Sequence, residues 1–307
     1  MKILITGGSG LVGKNIIKFA EKYEHEFIAP SSSELDLTKK NLVEGFLEKN
    51  TPDLIIHAAG VVGGIMANID KPVDFLSKNA EMGLNLIMAA RKKSIKSFLN
   101  LASSCMYPIN CKNPLKETEI LSGRLEPTNE GYALSKILST KLCEYISKSD
   151  VGYNYKTLIP CNLYGPYDNF NNETSHMIPA AINKIYTAVK NNETKVKIWG
   201  DGQSRREFMH IHDFADFIFF AINNFQKMPE ILNVGIGYDY SINDYYFAIA
   251  KLLNYHGEFE NDLSMPSGVK QKLVDIGRLE KFGWRHKIPL NDGLKITIDY
   301  FKKTLIN

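Results

Sequence analysis

Residues 132–136 read Tyr-Ala-Leu-Ser-Lys, which sets a phenol and an ammonium four residues apart. On a helix the two side chains lie one turn apart, separated by roughly 40° around the axis. A phenol at its free pKa of about 10 is a poor proton donor or acceptor near neutrality. An ammonium beside it favours the phenolate and is expected to lower that pKa. The pair could then pass a proton to or from a sugar or alcohol oxygen. A tyrosine and lysine at this spacing are common on solvent-facing helices. Two further stretches give these two a chemical meaning: Gly7-Gly8-Ser9-Gly10-Leu11-Val12-Gly13, and Ser103-Ser104-Cys105.

The order of elements is what would bring these stretches together. Lys2–Thr6 reads as a strand, the glycines follow, and Lys14–Tyr23 has a helical pattern. In that context the glycines permit a tight turn and let a pyrophosphate approach the helix N-terminus. Gly7, Gly10, Leu11, Val12 and Gly13 are therefore candidate contacts of a dinucleotide. Glu26–Ala29 reads as the second strand, followed by Pro30-Ser31-Ser32-Ser33-Glu34-Leu35-Asp36. An acid at such a tip suits a free ribose 2′-hydroxyl, and an arginine suits a 2′-phosphate. Neither stands at the tip here. The three serines could donate to a phosphate, which favours NADP with Ser31 as a contact; a plain serine-rich loop is the alternative. Asp36 and Leu37 are better placed to meet the adenine.

Asp53–Ala59 reads as a buried parallel strand, bringing Ala58 to the cofactor and Gly60–Gly64 over it. Val73–Lys92 is a helix with Asn79 near its start. Ser97–Ala102 is a strand that ends at Ser103 and Cys105. Ligands of open α/β sheets sit outside the carboxyl ends of the strands, so both residues belong at the chemistry by topology. Tyr132–Ser147 is a helix, and Thr157–Pro160 is a strand leading to Cys161-Asn162-Leu163-Tyr164-Gly165-Pro166. Beyond it lie a polar loop over Asp168–Ser175, a helix over Met177–Val189 and a strand and turn over Val196–Gly202. A helix over His212–Asn223 and a strand over Ile231–Gly235 return to the sheet. Ser241–Asn254 and Asn291–Lys303 are amphipathic helices. The expected fold is α/β: a Rossmann-type doubly wound parallel sheet with a smaller mixed α/β C-terminal substrate lobe. The dinucleotide domain is expected over 1–165, with 209–236 returning to it, and the sugar-nucleotide lobe over 166–307.

The 307 residues are 44% hydrophobic and 23% charged, ordinary for a globular protein with a sizeable core. A net charge of +3 without a dense basic run gives no reason to expect nucleic acid. No apolar run is long enough for a membrane span. The first residues form a strand rather than a signal peptide, so the expected compartment is the cytoplasm. There Cys105, Cys111, Cys143 and Cys161 should be thiols. Their spacing suits no structural zinc, and no metal is expected.

Taken together these residues resemble the extended short-chain dehydrogenase/reductase family and, within it, the GDP-L-fucose synthase subfamily. The glycine loop and the Tyr-Lys pair are shared across the superfamily. More specific are Val62-Gly63-Gly64-Ile65-Met66-Ala67-Asn68, Ser103-Ser104-Cys105-Met106-Tyr107-Pro108 and Leu125-Glu126-Pro127-Thr128-Asn129-Glu130. So are Asn162-Leu163-Tyr164-Gly165-Pro166, Asp168-Asn169-Phe170, Ser175-His176-Met177-Ile178-Pro179 and Arg206-Glu207-Phe208. The likeness spans nearly the whole chain. Ser9 and the arginine-free second strand depart from it, and so do Cys161 and Gly131, where relatives carry a threonine and a proline.

The resemblance implies a reductase triad of Ser103, Tyr132 and Lys136, and an acid/base pair of Cys105 and His176 that epimerises the carbons beside a 4-ketone. It implies Asn162, Leu163 and His176 near the cofactor, and Asn162, Lys184, Trp199, Arg206 and Lys272 near the sugar nucleotide. The implied reaction is NADPH-dependent C4 reduction, with C3/C5 epimerisation, of a GDP-linked 4-keto-6-deoxy sugar. C4 reduction alone, on a hexose or a heptose, stays open, as does a non-catalytic cofactor sensor. A homodimer is expected, packing Val73–Lys92 and Tyr132–Ser147 against a second copy.

Overall fold

Short runs of β-branched and leucine residues, buried on both faces, make parallel strands here. The structure, a computed structural model, describes residues 1–171, 174–265 and 268–306. The chain opens with β1 (Lys2–Thr6), α1 (Leu11–Ala20), β2 (Glu26–Ile28), α2 (Lys40–Asn50) and β3 (Leu54–His57). Next come α3 (Ile65–Asp70), α4 (Pro72–Lys92), β4 (Ser97–Leu101), α5 (Glu130–Ser149) and β5 (Asn154–Pro160). The central portion holds β6 (Asn162–Tyr164), α6 (Met177–Asn191), β7 (Lys195–Trp199), β8 (Arg205–Arg206), β9 (Phe208–His210) and α7 (Ile211–Asn223). The last elements are β10 (Ile231–Val234), β11 (Tyr240–Ser241), α8 (Ile242–Leu253), β12 (Glu258–Asp262), β13 (Gln271–Lys272), α9 (Gly277–Phe282) and α10 (Leu290–Thr304).

Six parallel strands form the main sheet in the order β10-β5-β4-β3-β1-β2. Successive residues of a strand point to opposite faces. Thus Ile3 and Ile5 pack in one core with Ile16 of α1 and Phe214 of α7, while Leu4 packs in another with Leu86 of α4 and Ile146 of α5. The result is the expected Rossmann-type doubly wound sheet. β10 closes it by pairing with β5, and Leu279 and Trp284 from the far C-terminus also pack into its core.

The rest builds a third core from Ile178, Ile182 and Ile185 of α6, Phe208 of β9, Tyr245 and Ile249 of α8, and Ile298 and Phe301 of α10. Three small sheets surround it: β11-β8-β13, β12-β7 and β6-β9. Several features differ from the sequence reading. α1 starts at Leu11, directly off the glycines, rather than at Lys14. α2 has no counterpart in that reading because only Val43 and Leu47 of its residues are buried. The turn over Gly60–Gly64 runs on into α3. β7 ends at Trp199 and pairs along its whole length with β12.

Candidate active site

The site is assembled at the carboxyl ends of the main strands. After β1, Gly7 has a φ of +75°, and a Cβ there would lie 2.7 Å from the Ala59 backbone. A Cβ at Gly13 would lie 2.3 Å from the Gly7 carbonyl oxygen. These contacts force the turn to be bare. Gly10 caps α1 with no side chain to occupy the first-turn N–H groups, and no acid stands in that turn. Uncapped N–H groups at the positive end of a helix suit a pyrophosphate, so the loop fits a dinucleotide. Leu11 and Val12 are partly buried in this first turn, and Ala58 N donates to Thr6 O at 3.2 Å.

After β2, Ser31 and Glu34 close a local turn. Ser31 does not hold its donors open: its N and Oγ both donate to Glu34 Oε2, at 2.8 and 2.7 Å. Asp36 Oδ1 accepts from Thr38 N and Oγ1 at 2.9 and 2.7 Å, and the Leu37 side chain is buried in the sheet core.

Ser103 follows β4, where its Oγ accepts from Cys105 N at 3.3 Å in a short 3₁₀ turn. Tyr132 and Lys136 lie on α5. The expected depression of the Tyr132 pKa is not what the structure shows. Burial raises it well above 10, the field of Cys105 raises it further, and hydrogen bonding with Ser103 opposes both. Lys136 Nζ lies 5.7 Å from the Tyr132 ring centre and donates instead to Leu101 O at 3.0 Å. Burial lowers the Lys136 pKa from 10.5 to about 8. The phenol is thus held as a proton donor.

Cys105 is half-buried, and Lys272 Nζ from β13 donates to its Sγ at 3.8 Å. His176 stands at the start of α6 but its side chain does not cap the helix. Protein crowding favours its neutral form, lowering its pKa, although solvent still reaches the residue. Asn162, His176, Lys184, Trp199 and Arg206 line one recess of about 210 Å³, together with Gly64 and Tyr246. Lys184 Nζ stands 5.1 Å above the Trp199 ring. Arg206 Nη1 donates to the Arg205 carbonyl at 2.8 Å, and desolvation lowers the guanidinium pKa. Lys272 stands with Cys105 rather than in the lining of this recess. Leu163 pairs with Met209 between β6 and β9.

The sequence reading missed Glu207. It is fully buried, and its carboxylate accepts from Ile236 N and Gly237 N at 2.6 and 2.9 Å and from Val274 N at 3.0 Å. Burial pushes its pKa up to about 7. Its carbonyl oxygen accepts from Asn162 Nδ2 at 2.8 Å. The available signal was an acid inside the run Phe208 closes, with no cationic partner beyond the adjacent arginines. Asn79 serves the loop over the cofactor: its Oδ1 accepts from Val61 N at 2.8 Å, and its Nδ2 donates to Val61 O at 3.0 Å. Among the described residues no cluster of three or more His, Cys, Asp or Glu could hold a metal, and no helix is long and apolar enough to cross a membrane.

Residues 3–235 match the NAD dependent epimerase/dehydratase family. The chain is 55% identical over 301 residues to the GDP-L-colitose synthase of Yersinia pseudotuberculosis, covering 98% of each protein. It is 47% identical to the GDP-L-fucose synthase of Azorhizobium caulinodans, covering 98% of this chain and 96% of the other. Its fold resembles that of a GDP-mannoheptose C4 reductase from Campylobacter jejuni with NADP bound, with a TM-score of 0.88, 29% identity and 98% coverage of both. The chain belongs to the NAD dependent epimerase/dehydratase family and is an enzyme of the extended short-chain dehydrogenase/reductase type.

Proposed function

We propose that this enzyme reduces C4 of a GDP-linked 4-keto-6-deoxy sugar with NADPH and epimerises carbons beside the ketone. The observation that carries the reading is the grouping of Tyr132, Ser103 and Cys105, with a protonated phenol at its centre. Relatives named for GDP-L-colitose and GDP-L-fucose synthesis, and a neighbour named as a GDP-heptose C4 reductase with NADP bound, support it.

In this reading the nicotinamide cofactor supplies the hydride that reduces C4. Lys136 holds the active face of α5 against the end of β4. Ser103 and Tyr132 hydrogen-bond the C4 oxygen, and Tyr132 gives it a proton. A ketone acidifies the C–H bonds on both neighbouring carbons. His176, favoured neutral, takes a proton from one face, and Cys105 returns one to the other. Lys184 and Arg206 supply positive charge for the diphosphate, Lys272 stands beside the Cys105 thiol, and Asn162 and Trp199 lie beside the sugar nucleotide. The main-sheet unit takes the cofactor and the C-terminal lobe the sugar nucleotide. Gly7, Gly10, Leu11, Val12, Gly13, Ala58, Asp36, Leu37 and Leu163 complete the cofactor site.

A second reading, C4 reduction alone on a GDP-4-keto-6-deoxy-heptose, draws on the heptose reductase of similar fold. The outward faces of α4 and α5 carry exposed Leu76, Leu84, Leu134 and Leu138, which favours a homodimer joined through these helices. Four free cysteines suit the reducing cytoplasm.

The test is incubation with GDP-4-keto-6-deoxy hexoses, their 3-deoxy forms and heptoses, with NADPH in D₂O. Mass spectrometry and NMR of the products identify the substrate and the exchanged carbons. Reduction without exchange selects the second reading, and no NADPH oxidation with any of these sugars rejects both.

A further inference from the structure

The loop Gly60–Gly64 joins the reducing end of the site to the proton-exchanging end, and its role as drawn here rests on the epimerising reading above. At its start, a Cβ on Gly60 would lie 3.7 Å from Lys136 Nζ. At its end, Gly64 N donates to Thr174 O at 3.3 Å, and a Cβ on Gly64 would lie 2.9 Å from Ser175 O. Gly64, Ser175 and His176 line the same recess. The segment that carries His176 therefore rests on Gly64. Three of the five loop residues are glycine, so few side chains are there to hold it.

Two buried asparagines hold it instead. Asn79 of α4 takes the near end, accepting from Val61 N and donating to Val61 O. Asn68 of α3 takes the far end: its Nδ2 donates to Gly63 O at 3.1 Å and to Gly64 O at 3.0 Å. Asn68 is 7% exposed, and its Oδ1 has no hydrogen-bond partner among the described residues. A buried acceptor left unmet offsets much of what the two donated bonds add to stability. What the amide does supply is position. It fixes two consecutive carbonyls of a glycine pair whose backbone is otherwise free to take many conformations.

We propose that Asn68 is a positioning residue for proton transfer: by fixing Gly63 and Gly64 it sets where His176 stands against the carbons beside the ketone. Asn68 acts through the loop, and His176 carries the proton. Asn79 keeps the Lys136 end independently, so loss of Asn68 separates exchange from reduction. A catalytic group displaced by about 1 Å loses on the order of a hundredfold in rate.

The experiment compares the wild type, Asn68→Leu and Asn68→Ala, with GDP-4-keto-6-deoxymannose as the probe. Deuterium uptake from D₂O at the carbons beside the ketone is followed by NMR without NADPH. C4 reduction is followed by NADPH oxidation. In both variants the kcat of uptake should fall by about tenfold or more with KM little changed. NADPH oxidation should fall by less than about threefold, yielding sugar that has kept its original configuration at these carbons. Circular dichroism confirms that the variants are folded; Asn68→Leu keeps the side-chain volume. Uptake at the wild-type rate in both variants, or a parallel loss of uptake and reduction, would overturn the role of Asn68. A wild type that reduces the probe without any uptake ends the epimerising reading instead, and the Asn68 assignment with it.

Discussion

Lys272 and Cys105 meet between the main sheet and a small sheet, with Lys272 Nζ donating to Cys105 Sγ at 3.8 Å. The thiol comes from the end of β4 in the main sheet and the ammonium from β13 beside the C-terminal lobe. The proton carrier thus has a cation beside it before any substrate arrives.

Lys272→Met should slow deuterium exchange beside the ketone by about tenfold or more, and C4 reduction by less. Cys105→Ser should lower exchange by about a hundredfold or more, because a serine hydroxyl is a far weaker acid than a thiol near 8.5. His176→Asn should impair the same exchange. NMR of the product formed in D₂O reads all three. Exchange at wild-type rates in Cys105→Ser would remove the thiol from the mechanism.

Tyr132→Phe keeps the ring and removes the proton donor. NADPH oxidation should fall by about a hundredfold or more, while cofactor binding by fluorescence is retained. Turnover near that of the wild type would reject the tyrosine assignment.

Lys136 carries its charge only below about pH 8, because burial disfavours the ammonium. The charged form is the one that binds the Leu101 carbonyl strongly, so kcat for reduction should decline as pH rises through that value. A profile flat from pH 7 to 9 would show that this charge is not needed.

Leu138→Glu, or Leu134→Glu, puts a charge on the exposed apolar face of α5. Light scattering should then give a monomer mass at micromolar concentration where the wild type gives a dimer. A wild-type monomer would dismiss the α4–α5 interface.

Glu207 makes stability depend on acid. Its pKa is raised from 4.5 to about 7, so between those values the folded protein holds a proton that the unfolded chain has lost. Its contribution is complete below 4.5 and fades as pH rises through 7. In Glu207→Gln, melting temperatures should lose this slope. The variant should also be weaker by about 1–3 kcal/mol at acid pH, since a carboxamide N–H facing Val274 N leaves one donor unmet.

Much of the sheet was legible because its strands are unbroken apolar runs. The bounds of β1 agree with the reading to the residue, and those of β4 differ by one. Two-residue strands such as β8, β11 and β13 have no period to detect. β12 is polar and exposed along much of its length, so nothing in its composition announced its pairing with β7. At the site, the residue types and their strand-end positions were readable. The direction of a long side chain was not: Lys136 reaches for a carbonyl two residues before Ser103 rather than for the phenol. The Ser31–Glu34 clasp was hidden for a related reason. A serine run reads as open donors until the turn that folds an acid back onto it is known.

The contact between Cys105 and Lys272 spans 167 positions of sequence. The bridge between Leu115 and Val274 lies beside it, and the strand that completes the sheet is β10. During synthesis on the ribosome, the cysteine therefore emerges long before the lysine that will face it. A nascent or truncated chain ending before residue 272 can carry the whole glycine loop and still lack a finished reaction centre. Catalytic competence therefore waits until residue 272 has been made and folded back onto the main sheet.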